Sequence, residues 1–94
     1  MHIRQDEAFI LLSNWRDRKT QLKLNVTRSG VRQELRGCMI GNLEGAVVEV
    51  IGVGAELKLD VQGADFNGGD SHRPYLTCEF SNGDRYSFTR ETSL

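Results

Sequence analysis

Apolar side chains recur along this chain in two rhythms. Ala8, Leu11, Leu12 and Trp15 fall three or four residues apart and form one stripe, which predicts a helix over about residues 6–17. Asp6 and Glu7 stand where carboxylates complement the positive end of a helix dipole, and Arg16 and Arg18 where cations complement its negative end. Phe9 and Ile10 widen the stripe, so the helix is expected to touch apolar surface on more than one side.

From Thr20 onward the period becomes two. Leu22, Leu24 and Val26 alternate with Gln21, Lys23, Asn25 and Thr27, and Arg28-Ser29-Gly30 then turns the chain. Residues 31–40 read as a returning strand with Leu35 and Met39 inward, and Gly37 marks a sharp bend between them. Residues 46–51 are nearly all β-branched and read as a central strand, and Gly52-Val53-Gly54 leads into Leu57, Leu59 and Val61, alternating again. Residues 62–73 form the longest irregular stretch, with Phe66 expected to anchor it to the core. Residues 75–80 and 85–89 make a hairpin through Ser81-Asn82-Gly83-Asp84, the strongest turn signal present.

The expected fold is mainly β in one domain spanning residues 1–94: an N-terminal helix capping a five- to six-stranded, strongly bent antiparallel sheet, or small barrel, over about residues 20–90. Its interior is expected to hold Leu22, Leu24, Leu35, Val48, Val50, Leu57, Leu59, Cys78 and Phe80.

Composition narrows the function classes. Hydrophobic residues make up 38% and charged residues 27%, enough for one core and too apolar for disorder. A formal net charge of −1 argues against holding nucleic acid by bulk phosphate neutralisation. Cys38 and Cys78 stand in apolar strand contexts with no C-x-x-C spacing, so both read as reduced core thiols rather than disulfide partners or zinc ligands. No apolar run approaches a membrane span, and a soluble, bacterial-type cytoplasmic protein is expected.

Chemistry-bearing motifs are sparse. Asp70, Ser71 and His72 hold the residue types of a triad, but sequence neighbours rarely face one another productively, and an enzyme would need a cleft around Asp70, His72 and Tyr75. The stretch from Asp60 to Asp70 lacks the alternating oxygen ligands of a calcium loop, and no phosphate-binding glycine loop occurs. No catalytic residue, metal or cofactor is therefore expected. Cations do gather: Arg32, Glu34 and Arg36 share a strand face with Arg28 close by at the turn, making Arg28, Arg32 and Arg36 the candidate ligand-binding residues.

A short helix followed by a bent sheet carries Gly37-Cys38-Met39-Ile40-Gly41-Asn42 and then Ala46-Val47-Val48-Glu49-Val50, and this resembles the first motif of the Sm-like, SH3-like barrel family. The resemblance implies a small barrel. In RNA-binding members a loop Asn and a downstream Arg-Gly or Lys-His pair contact the base. Glu44-Gly45 and Val53-Gly54 or Gly63-Ala64 stand at those places here, so the RNA pocket does not carry over. Arg28-Ser29-Gly30-Val31-Arg32 also resembles the R-x-x-x-R motif of PilZ cyclic-dinucleotide receptors, while Asn42-Leu43-Glu44 lacks the serine of the companion motif.

The expectation for function is a non-enzymatic binding or assembly module that self-associates through exposed strand edges. The alternative is a regulator that takes RNA or a cyclic dinucleotide on Arg28, Arg32 and Arg36.

Overall fold

The computed structural model describes residues 1–52, 55–69 and 74–91. Its elements are β1 (His2–Ile3), α1 (Gln5–Asp17), β2 (Leu22–Arg28), β3 (Val31–Glu44), β4 (Val47–Gly52), β5 (Ala55–Asp60), β6 (Asp65–Gly69), β7 (Tyr75–Glu79) and β8 (Arg85–Arg90). All strand pairings are antiparallel, and the eight strands form one sheet in the order β1-β6-β7-β8-β2-β3-β4-β5.

The helix forms as its periodicity predicts. Glu7 reaches back to accept a hydrogen bond from the Arg4 backbone N–H at 3.2 Å, occupying a donor the first turn would leave bare. Ala8, Leu11, Leu12 and Trp15 are buried against β3 and β6. Phe9 packs partly buried against the core and widens the stripe as expected, whereas Ile10, at 62% exposure, lies on the water side.

The sheet is strongly bent, and β3 does the bending. Arg36 and Gly37 together oppose Lys23, a β-bulge in which Gly37 takes a φ of +67°. A second irregularity places Gly41 and Asn42 opposite Glu49. Each extra residue flips the side-chain alternation. Leu35 faces inward, then Cys38 and Ile40 are buried, so Met39 is only half-buried rather than inward as simple alternation from Leu35 predicts.

Thus the first half of β3 lies in a sheet with β2, β8, β7, β6 and β1, while its second half pairs with β4 and β5. The strands do not close into a barrel. Among the described residues, β1 and β5 stay at opposite ends of the strand order, and α1 covers the inner surface that closure would otherwise seal.

Two further strands separate the structure from the expected five or six. β1 is a two-residue pairing at the N-terminus, too short to register in a periodicity. β6 lies inside the stretch read as irregular, where Asp65, Asn67 and two glycines are poor strand formers that pairing with β7 overrides. Phe66 does anchor this segment, with 3% exposure.

The core matches the expected interior. Leu22, Leu24, Val48, Val50, Leu59 and Cys78 are buried, and Leu35, Leu57 and Phe80 pack partly buried against them. Val26, Leu76, Tyr86 and Phe88 from the neighbouring strands, and Val61 just after β5, complete the inner layer. No described helix is long and apolar enough to cross a membrane.

Candidate functional site

The β2–β3 hairpin carries the three candidate arginines. Its turn is the two residues Ser29 and Gly30, with φ of +51° and +79°, the pair of positive values that a type I′ connection requires. Asp84, in the turn between β7 and β8, accepts the Ser29 backbone N–H at 3.1 Å and so ties the two hairpin tips together. The Asp84 side chain is itself held by the Asn82 amide at 3.3 Å.

The structure divides the arginines between two faces. Thr27 opposes Arg32 and Asn25 opposes Glu34, so Arg32, Glu34 and Arg36 share the outer face of the sheet with Lys23, Asn25 and Thr27. Arg28 has the opposite parity. Its guanidinium carbon lies 5.3 Å from the centre of the Tyr86 ring, and its Nε and Nη2 donate to the Tyr86 hydroxyl at 3.3 and 3.0 Å. Phe80 meets the same ring edge-on at 5.4 Å. Arg28 is thus the capping cation of an aromatic pair at the rim of the core.

On the outer face, much of the positive charge is already matched. Lys23 Nζ and Arg36 Nη2 approach the same oxygen of Glu34, Oε1, at 3.4 and 3.6 Å. Arg32 makes no ion pair among the described residues. It borders a polar hollow of about 290 Å³ with Asn25, Thr27, Arg85 and Ser87. Arg85 reaches this hollow because Thr27 stands between it and Arg32, although 58 residues separate Thr27 from Arg85 in sequence. Local pattern reading has no access to a pairing of that span. Arg85 itself pairs with Glu79 at 3.5 Å.

The backbone of the hairpin is as informative as its side chains. β2 is flanked on both sides, by β3 and β8. β3 pairs with β2 through its first half and with β4 only from Met39 onward. The far edge of Val31–Arg36 therefore meets no partner strand among the described residues. In a two-residue hairpin the residues flanking the loop exchange the first ladder bonds. Val31, Gln33 and Leu35 accordingly bond to β2, while Arg32 and Glu34 turn their N–H and C=O groups to the open side. Val31 through Glu34 are all exposed, Val31 at 70%.

The remaining expectations have definite places. Asp70, Ser71 and His72 lie outside the described residues. Tyr75 is half-buried, and its hydroxyl accepts a hydrogen bond from the N-terminal ammonium of Met1 at 2.9 Å. Among the described residues no group of three or more His, Cys, Asp or Glu side chains is arranged to hold a metal ion. Cys38 and Cys78 are both free and buried. Burial pushes the Cys78 thiol up to about 12, and burial followed by the charge of Glu91 raises that of Cys38.

A hollow of about 670 Å³ opens at the C-terminal end of α1 beside Trp15, Arg18, Lys19, Arg90 and Glu91. No family model matches the chain, and no curated protein or solved structure matches it either.

Proposed function

We propose that this protein is a non-enzymatic binding and assembly module, and that it works by accepting a strand on the open edge of β3. The observation that carries the reading is the far edge of Val31–Arg36, six residues long, opening on an exposed valine and without a partner strand among the described residues. Extended backbone with outward N–H and C=O groups is a template for another strand. An edge kept only for solvent is ordinarily short, interrupted by proline, covered, bulged or charged with one sign; this one ends at the Gly37 bulge but runs six residues with charges of both signs, and no described residue covers it.

Adding a strand would satisfy the outward groups of Arg32 and Glu34 and cover Val31. Full burial of a valine stabilises by roughly 1.5–3 kcal/mol. An anion-binding reading has less to draw on, since Arg28 is engaged by Tyr86 and Arg36 by Glu34.

The test is a proline at an outward-facing position. Glu34→Pro removes an N–H that points away from β2 and leaves the β2–β3 ladder intact, so the fold is expected to survive while association is lost. Light scattering between one and several hundred micromolar, with circular dichroism as the fold control, reads both. A folded Glu34→Pro variant that associates like the wild type refutes the reading.

A further inference from the structure

We infer that the strand accepted by the β3 edge is the same edge of a second copy of this chain, set antiparallel with Gln33 opposite Gln33. The inference rests on the reading of β3 as the docking edge and adds the partner and the register.

The sequence of the edge is self-complementary in one register. With Gln33 on a two-fold axis normal to the sheet, Arg32 of each copy faces Glu34 of the other, and Val31 faces Leu35. The charged pairs fall on the outer face and the apolar pairs on the inner face, as the alternation demands. Arg32 and Glu34 are also the residues whose backbone groups point outward, so each Arg32–Glu34 pair would exchange both ladder bonds.

The side chains are prepared for it. Arg32 makes no ion pair among the described residues, and Glu34, paired loosely with Lys23 and Arg36 at 3.4 and 3.6 Å, is still exposed to an incoming guanidinium. Opposite charges across antiparallel strands stabilise and like charges oppose pairing.

Neighbouring registers fail on the same residues. A slip of two residues one way sets Arg32 against Arg32. The slip the other way sets Glu34 against Glu34 and Arg32 against Arg36. A further slip, with Leu35 opposite Leu35, leaves Val31 uncovered and carries the added strand into the Gly37 bend, after which β3 turns to β4.

β5 is the other long edge, and it too can pair Glu56 with Lys58 across a two-fold axis. Leu59 is already fully buried there, and no large apolar side chain of the strand is exposed among the described residues, so a second β5 would cover little. A lysine in the middle of an edge strand also discourages pairing.

Three measurements test the register. In a non-hydrogen-bonded antiparallel pair the Cα atoms lie about 4.5 Å apart, within the span of a disulfide. Gln33→Cys is therefore expected to form a covalent dimer under mild oxidation, with buried Cys38 and Cys78 staying reduced. Arg32→Glu and Glu34→Arg should each weaken association about tenfold, and the double swap Arg32→Glu/Glu34→Arg should restore it. Lys58→Pro on β5 should leave association unchanged.

Dimers lost in Glu34→Pro but neither cross-linked by Gln33→Cys nor restored by the double swap would overturn the register and keep β3 as the docking edge. Dimers that persist in Glu34→Pro, or that Lys58→Pro abolishes, would overturn the edge itself. A wild-type chain that stays monomeric at several hundred micromolar would overturn the second copy as partner.

Discussion

Lys19 holds a backbone conformation that helices usually give to glycine. Its φ is +50°, its N–H bonds to the Arg16 carbonyl at 3.1 Å, and the Thr20 N–H bonds to that of Trp15 at 3.0 Å, the paired bonds of a Schellman end. A side chain in this region strains against the following carbonyl, and glycine does not. Lys19→Gly is expected to raise stability by about 1 kcal/mol in urea denaturation. A loss of stability would mean that the lysine stem contributes packing worth more than the strain. At this scale the sequence was legible wherever one residue decides one contact: the helix stripe from Ala8 to Trp15, the Ser29-Gly30 turn and Phe66 as anchor all stand where the pattern puts them. Ile10 was misplaced, because apolar character alone does not say which side of a helix has a neighbour.

At the scale of elements, what escapes the pattern is the strand that breaks its own alternation. One bulge in β3 shifts the inward set from Leu35 to Cys38 and Ile40, a second irregularity shifts it on to Leu43, and no count with period two follows such shifts. β6 escapes for a related reason. Asp65, Asn67, Gly68 and Gly69 look like a loop, but the glycine at 68 is there because the strand is crowded. A Cβ on Gly68 would sit 2.8 Å from the Tyr75 carbonyl oxygen and 3.2 Å from Ile3 Cδ1. Gly68→Ala is therefore expected to cost about 1–3 kcal/mol and to loosen both the β6–β7 and β1–β6 pairings. Amide hydrogen exchange should show faster exchange at Phe66, whose N–H faces β1, and at Thr77, whose N–H faces β6, than in the wild type. Exchange that speeds up uniformly over the whole chain would contradict this local effect. A substitution at Gly45, which has open space around it but a φ of +58°, serves as a control for backbone strain without crowding.

For the whole molecule, the strands meet in an order that no local reading contains. β2 lies between β3, which follows it directly, and β8, which arrives only at the end of the chain. This junction builds the interior around Leu22, Leu24, Phe88 and Cys78, and it also brings Arg85 beside Arg32. The Cys78 thiol reports how dry that interior is, since burial alone raises it from 9.0 to about 12. The unfolded chain releases this proton near the ordinary thiol value and the folded chain holds it longer. Folded protein therefore binds more protons than unfolded protein between those values, so stability is full below about pH 9 and falls as pH rises through the folded value. Replacing Cys78 by alanine lowers stability at every pH through the lost packing, but it also removes this proton from the balance. Denaturation curves collected from pH 8 to pH 11 should then show a shallower decline for Cys78→Ala than for the wild type. Cys38, also raised, keeps part of the slope in both proteins. Parallel declines would mean that water reaches the thiol in the folded state, and that the layer between α1 and the sheet is open rather than sealed.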